Sequence, residues 1–302
     1  MPMFDTERLK VAGVVTFYMG AALVMVFVNK AVLNNAPELP FIFLLIQLVI
    51  AVVLLHATAA VNERVKIPKI DMDTTKKLFP VVSVNIVGLV FNTLCLRGVE
   101  ASFFQIARGL VLPLTIAVSS AHSRTSPPRS VMFCAGIVTF GFMFGVSPSA
   151  AVPLTAIPST LSLFYGVLSS LFIAFHAVLI KSSLPYCNNS TIELAWWTNA
   201  GSALLILPFV VLKGEIATFY TLMYTDSWDS SVFLWGCLVT GVFGFLLCVA
   251  GLLSIKVTSP VTHMFSSAAR SVLQTVLGVW IFNDVLTINR AASIAIILGG
   301  TM

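Results

Sequence analysis

The chain has 302 residues, of which 17 are Lys or Arg and 12 are Asp or Glu, so charged side chains make up 10% and apolar ones 58%. Soluble globular chains carry about 25% charged and about 45–50% apolar residues. With a mean hydropathy of +0.99, this composition excludes a soluble enzyme and a disordered chain. The pI of 9.0 does not point to nucleic acid, because no basic face of the kind DNA requires is present. A polytopic membrane protein remains.

A helix needs roughly 20 apolar residues to cross a bilayer. Ten such runs are predicted, at about 11–33, 40–60, 79–97, 102–122, 130–147, 159–180, 192–212, 232–254, 257–281 and 286–302, with ends uncertain by about 2–4 residues. The gaps are short except for 61–78 and 213–231. The first ten residues hold four charges and no cleavage site, and the first run is too long for a signal-peptide core, so it reads as a retained helix. The last run stops at Met302 without a polar tail, which implies a cut chain or a short tenth helix.

Basic residues set the orientation. The N-terminus and the loops after spans two, four, six and eight hold eleven: Arg8, Lys10, Arg64, Lys66, Lys69, Lys76, Lys77, Arg124, Arg129, Lys181 and Lys256. The other side holds three, Arg97, Lys213 and Arg290. Both termini are therefore expected in the cytosol.

The two halves echo each other. Ala107-Arg108-Gly109-Leu110-Val111 in span four parallels Ala269-Arg270-Ser271-Val272-Leu273 in span nine. A second Arg follows each, Arg129 after 21 residues and Arg290 after 20. Lys30-Ala31-Val32-Leu33 parallels His176-Ala177-Val178-Leu179, with Phe17-Tyr18 and Phe164-Tyr165 upstream. The expected fold is an all-α membrane protein of ten helices in two inverted five-helix repeats, 1–155 and 156–302, forming one integral domain. An odd number of helices per half inverts the second copy, a transporter device that places the substrate near the midplane.

Three fixed charges fall inside spans: Lys30, Arg108 and Arg270, all positive. A charge at a helix centre costs about 2.5–3.5 kcal/mol on insertion scales and marks function by default. All twelve Asp and Glu lie in loops or at helix ends, so nothing acidic within the membrane neutralises them, and an anion, a watery cavity or both are expected. His263, Ser266, Ser267, Arg270 and Gln274 form one polar stripe, and a guanidinium forks onto phosphate oxygens. Arg108 follows Gln105 by one turn, and Pro113 removes a backbone donor and opens the helix. Lys30 serves either as a ligand or as an anchor reaching the membrane surface. Asn85 and Asn92 share a face, as do Asn199 and Ser202, and Tyr165, Ser169 and His176; each is either interhelical glue or an amide or imidazole contact to substrate. His56 reads as a core or interfacial residue.

The five cysteines, Cys95, Cys134, Cys187, Cys237 and Cys248, form neither a disulfide framework nor a metal set and read as small core residues. No phosphate-binding Gly-x-x-x-x-Gly-Lys-Ser/Thr loop appears, so ATP drive is not expected; no Ser/His/Asp or His-metal constellation stands at recognisable spacing, so neither enzymatic catalysis nor a cofactor is expected. Exchange of one anion for another fits best.

These residues resemble the nucleotide-sugar transporters of the drug/metabolite transporter superfamily, and the GDP-fucose transporters in particular. Val28-Asn29-Lys30, Asn92-Thr93-Leu94-Cys95-Leu96-Arg97, Ser259-Pro260-Val261-Thr262-His263-Met264 with Ser266 to Arg270, and Arg290 to Gly300 carry the likeness. The first of these is shared with triose-phosphate translocators. The resemblance implies a multi-pass Golgi protein that imports GDP-fucose and returns GMP, with the lipid bilayer as environment; a homodimer is compatible with it. In GDP-sugar transporters a Phe-Tyr-Asn-Asn motif reads guanine; here the stretch is Trp196-Trp197-Thr198-Asn199, which keeps only the last Asn. Where GDP-mannose transporters have Gly-Ala-Leu-Asn-Lys, this chain has Ser266 to Arg270, with Ala269 in place of the Asn. That departure favours fucose. The expected substrate-binding set is Arg270, Ser266, Ser267, His263, Gln274, Asn199, Trp197, Lys30, Tyr18, Arg108, Asn92 and His176. Alternatives are a GDP-mannose carrier, a carrier of another phosphorylated metabolite, and a non-transporting scaffold for glycosyltransferases.

Asn188-Asn189-Ser190 and Asn189-Ser190-Thr191 are both glycosylation sequons on the predicted cytosolic side. Protein from eukaryotic cells should show no mass shift on glycosidase treatment; a shift would invert the topology.

Overall fold

A computed structural model describes residues 2–63, 65–99, 104, 108–146, 159–225, 228–257, 259–261, 263, 279–280 and 288–300. These residues form helices and connecting turns with no strand among them. In chain order the helices are α1 (Pro2–Asn35), α2 (Pro40–Val61), α3 (Met72–Gly98), α4 (Val111–Ser123), α5 (Arg129–Val146), α6 (Thr160–Ser183), α7 (Thr191–Leu212), α8 (Glu215–Met223), α9 (Ser230–Val257) and α10 (Ile288–Gly299). A short 3-10 turn, Leu184–Cys187, links α6 to α7.

Five helices, α2, α3, α6 with its following turn, α7 and α9, are long and apolar enough to cross a membrane. Gly20–Asn35 of α1, α4 and most of α5 are shorter apolar helices. Large apolar side chains such as Phe133, Leu204 and Leu212 are exposed. Water would not tolerate such a surface, whereas lipid does. The chain is a multi-pass membrane protein.

Local sequence sets the helix starts. Asp71 accepts the Thr74 N–H at 3.0 Å and caps α3. Ser159 does the same for α6 from Ser162. At α7, Ser190 accepts the N–H of Glu193 at 3.2 Å, with the acidic residue in the third position that complements a helix N-terminus. The fourth predicted span is broken rather than continuous. Arg108 is helical, Gly109 and Leu110 form a turn, and the helix resumes at Val111. Pro113 has no N–H to offer the Gly109 carbonyl, so the ladder opens at that point. Predicted span nine lies almost wholly outside the described residues. The 213–231 gap, expected as a loop, contains α8.

Helix neighbours follow a pattern. α1 packs on α9 and α3 on α6; α2 packs on both α7 and α9; α3 also packs on α7; α5 packs on α10. Glycines allow some of the helices to approach closely. A Cβ on Gly241 of α9 would sit 2.7 Å from Ile50 of α2, and one on Gly201 of α7 would sit 2.7 Å from Val82 of α3. Ser293 of α10 donates to the Gly141 carbonyl of α5 at 2.6 Å.

Two apolar cores fill the bundle. One, around Leu39, Phe43, Leu96 and Phe233, sits at the end carrying loop 36–39. The other, around Leu78, Ile180, Leu194 and Ile255, lies toward the end carrying loop 62–71. At the first end α8 is tied down. Phe219 and Trp228 pack on Phe233 with ring centres 5.7 and 5.6 Å away, and the Trp228 indole donates to the Asn35 carbonyl at 3.3 Å.

Glu215, at the start of α8, is 3% exposed. Its carboxylate accepts the N–H groups of Phe41 at 2.9 Å and Ile42 at 2.7 Å. These are free donors of the first turn of α2, whose own N-cap, Leu39, supplies no side-chain bond. Burial pushes the Glu215 carboxyl above the usual range, and the two backbone donors offset part of that rise. Because the folded value is raised, the contribution of this group weakens as pH climbs from the ordinary Glu range through the folded value. Glu215→Ala should cost roughly 1–3 kcal/mol by orphaning buried donors, read as a lower melting temperature in detergent. Glu215→Gln keeps the acceptor and should remove the pH slope instead.

Candidate functional site

A cavity of about 260 Å³ lies at the centre of the bundle. It runs from Leu44, one turn into α2, to Ile180 and Ile255 in the last turns of α6 and α9. Its polar wall comes from six elements: Tyr18 of α1, Gln47 of α2, Asn85 of α3, His176 of α6, Asn199 of α7 and Cys248 of α9. Arg108, at the break before α4, and His263 complete the described lining. Among the described lining residues none is acidic, and Arg108 is the one fixed charge.

Several of these groups are held by their neighbours. Asn199 donates to the Ala195 carbonyl at 2.7 Å and to the Cys248 sulfur at 3.4 Å, which leaves its oxygen to accept. Asn85 donates to Ser202 at 3.0 Å and joins α3 to α7. Gln47 donates to Asn29 at 2.9 Å and Thr240 at 2.8 Å, joining α1, α2 and α9. The His263 ring lies edge-on to Tyr18 with centroids 4.9 Å apart, and its Nδ1 is 3.1 Å from the Ser254 hydroxyl. The Arg108 guanidinium sits 5.6 Å from the Phe104 ring centre, within cation–π range. His176 differs: its Nε2 is buried with no hydrogen-bond partner.

The structure thus brings together Tyr18, Arg108, His176, Asn199 and His263 from the sequence-predicted set. Three others lie elsewhere. Lys30 is not in the cavity wall: its ammonium donates to the carbonyls of Leu96 at 3.0 Å and Val99 at 2.6 Å, with Arg97 at 3.5 Å. Those carbonyls end α3 and lack helical partners, so a cation is favoured there. Asn92 accepts from Ser169 at 3.4 Å between α3 and α6. Trp197 is buried in the apolar core, edge-on to Trp196 at 5.3 Å. Arg270, Ser266, Ser267 and Gln274 lie outside the described residues, as does Gln105. Thr198 turns back on its own helix, donating to Leu194 and Ala195. Gln47 and Cys248 were not singled out as site residues. A lone Gln amid the apolar residues of α2 is the sequence feature that marks the first.

All five cysteine thiols are free, and the described residues hold no cluster of three metal-ligating side chains. What the arrangement offers is an anion-tolerant wall. It has one guanidinium, two imidazoles, a phenol and amides that both donate and accept. Its volume is just below the roughly 300–1,000 Å³ usual for small-ligand sites, so a nucleotide-sized guest requires its walls to separate.

The model of the triose-phosphate transporter family matches residues 9–302. The chain belongs to that family. GDP-fucose transporter 1 of Dictyostelium discoideum is 29% identical over 302 residues, covering 96% of this chain and 78% of its own. The Golgi GDP-fucose transporter of Drosophila melanogaster is 29% identical over 292 residues, with 92% and 84% covered. The UDP-sugar transporter UST74c of Drosophila melanogaster is 21% identical, with 91% and 72% covered. One solved crystal structure superposes on 96% of this chain and 95% of its own with a TM-score of 0.59 at 14% identity, a likeness of fold alone. Membership of this family marks a transporter rather than an enzyme.

Proposed function

We propose that the chain is a Golgi nucleotide-sugar antiporter that brings GDP-fucose into the lumen and returns GMP, its two five-helix halves rocking about the central cavity. The observation that carries this reading is the central cavity lined by Arg108, with no acidic residue among the described lining, in a family member similar over most of its length to GDP-fucose transporters. The helix neighbours support the inverted repeat. Shifting each of the predicted spans by five turns the α1–α9 contact into α6–α3, and α2–α9 into α7–α3, and both members of each pair occur. The basic residues orient the loop 62–71 end toward the cytosol.

In this reading the diphosphate rests against Arg270 and Arg108, while Asn199 and Ser266 or Ser267 address the base. His263 and Tyr18 close one side of the sugar–phosphate pocket, and Gln274 extends the stripe. Lys30 leaves the ligand set for the helix end where its ammonium is held. A neutral carrier wall would gain little from a doubly charged guest, whereas a guanidinium in a low-dielectric site binds phosphate through paired, charge-assisted bonds. A carrier of another phosphorylated metabolite needs the same cations but not the amides.

The test is counterflow in proteoliposomes preloaded with GMP. GDP-fucose uptake should be competed by external GMP, and poorly by CMP, UMP or inorganic phosphate. Arg270→Ala should abolish uptake and Arg108→Ala should lower it at least about tenfold, with both variants still folded by thermal unfolding in detergent. Equal competition by all nucleotides or by phosphate would remove the GDP-sugar reading.

A further inference from the structure

Two amides in the cavity wall have their protons committed to the protein and their oxygens left over. Gln47 of α2 is 8% exposed and lines the cavity. Its Nε2 donates to the Asn29 side chain and to the Thr240 hydroxyl. Thr240 fixes which way round the amide sits. Its own proton goes to the Gly236 carbonyl at 2.6 Å, and a hydroxyl has only one proton to give. Toward Gln47 it can only accept, so the amide nitrogen must face it. The Gln47 oxygen accepts from none of the described residues, and it keeps accessible surface. Asn199 of α7 is a second such case. A carbonyl can only accept, so the Ala195 carbonyl fixes the Asn199 nitrogen, and its oxygen is left without a donor and not sealed in.

The two oxygens stand at different depths. Gln47 bonds to Thr240 of α9 and Asn199 to Cys248 of the same helix. Residues 240 and 248 of one helix are about 12 Å apart along its axis, far more than one edge of a nucleobase spans. α9 runs from the Phe233 core to the Ile255 core, so Gln47 lies on the loop 36–39 side of Asn199. Leu44 and Leu48 flank Gln47 on α2, and with Leu89 of α3 they make this part of the wall apolar. On the other side of Asn199 the bundle is closed, with Ile180, Leu252 and Ile255 each 3% exposed. A guest whose base is held at Asn199 therefore extends toward Gln47.

We propose that Gln47 reads the sugar: its side-chain oxygen accepts from a ring hydroxyl of the hexose, while Leu44, Leu48 and Leu89 face the methyl group of a 6-deoxyhexose. This rests on the reading of the chain as a GDP-sugar carrier with the base at Asn199. In a nucleoside diphosphate hexose the base and the sugar lie at opposite ends of the diphosphate. The diphosphate offers only acceptors, so a lone amide oxygen repels it and suits a hydroxyl donor. Asn29 and Thr240 hold that oxygen in place from α1 and α9, so little side-chain freedom is lost when the sugar arrives. The leucines add selectivity. A methyl group against them leaves nothing unsatisfied, whereas the hydroxymethyl group of an ordinary hexose would bury a hydroxyl without a partner.

The experiment measures uptake of labelled GMP into GMP-loaded proteoliposomes and its inhibition by unlabelled GDP-fucose, GDP-mannose and GMP. In Gln47→Met the concentration of GDP-fucose that halves uptake should rise at least about fivefold, while that of GMP, which has no sugar beyond its phosphate, stays within about twofold. Leu89→Thr places a hydroxyl on the apolar wall and should shift the ratio of the two GDP-sugars at least about threefold toward GDP-mannose. Unchanged GDP-fucose inhibition in Gln47→Met would overturn the assignment. An equal loss for GMP would do so too, because Gln47 would then serve the nucleotide or the fold. Should Gln47→Met fail to fold in detergent, Leu89→Thr decides: an unmoved ratio removes the sugar from this end of the cavity and Gln47 with it. Failure of the carrier reading shows in the parent, as GMP uptake that is absent or indifferent to GDP-fucose, and it takes the sugar assignment down as well; failure of the assignment alone shows only in the variants.

Discussion

Hydrocarbon solvates neither charges nor unpaired backbone groups, and this constraint governs the polar contacts described here. Among the described residues, polar side chains within the bundle join two helices, face the central cavity or, like Thr115 and Thr198, turn back on their own helix. Gln47 bridges α1, α2 and α9, and Asn85 bridges α3 and α7. Lys30 discharges onto the open end of α3, and Glu215 onto the open start of α2. A helix terminus is a partial charge of fixed sign. In both cases the side chain of opposite sign meets it, so no second ionised side chain has to be brought into the low-dielectric interior.

That division sorts the cations. A lysine near a helix end can satisfy itself locally and then serves architecture. Arg108 sits at a break in the middle of the bundle, beside Phe104, with its guanidinium part of the cavity wall. The break and the charge depend on each other. Without the gap at Gly109 and Leu110, which Pro113 permits, residue 108 would stand on an unbroken apolar helix.

Much of the fold was legible because membrane helices announce themselves by length and hydropathy. The predicted spans 40–60, 192–212 and 232–254 fall within α2, α7 and α9 as observed. The opening before α4 was readable from one proline. α8 was not readable: nine residues between two long helices carry too little periodicity, and its anchor is Glu215 binding a segment far away in sequence. Lys30 was ambiguous for a physical reason, since an ammonium near a helix end suits both a ligand and a set of carbonyls. Asn92 shares a face with Asn85, and Trp197 stands in the stretch that matches the guanine-reading motif; only packing reveals that Asn92 meets α6 and that Trp197 lies in the apolar core. Gln47 was hidden in a run whose apolar average it barely changes. Arg270 and its stripe rest on the sequence alone.

The Glu215 contact also sets an order of events during biogenesis. Its two backbone partners stand 174 and 173 residues earlier in the chain. At roughly 5–20 residues per second of synthesis, α2 leaves the ribosome about 10–35 s before its cap exists. For that interval the first hairpin must lodge in the translocon or bilayer with exposed amide donors at its tip. Nascent chains halted between α2 and α8 should therefore be the ones that quality-control proteases recognise.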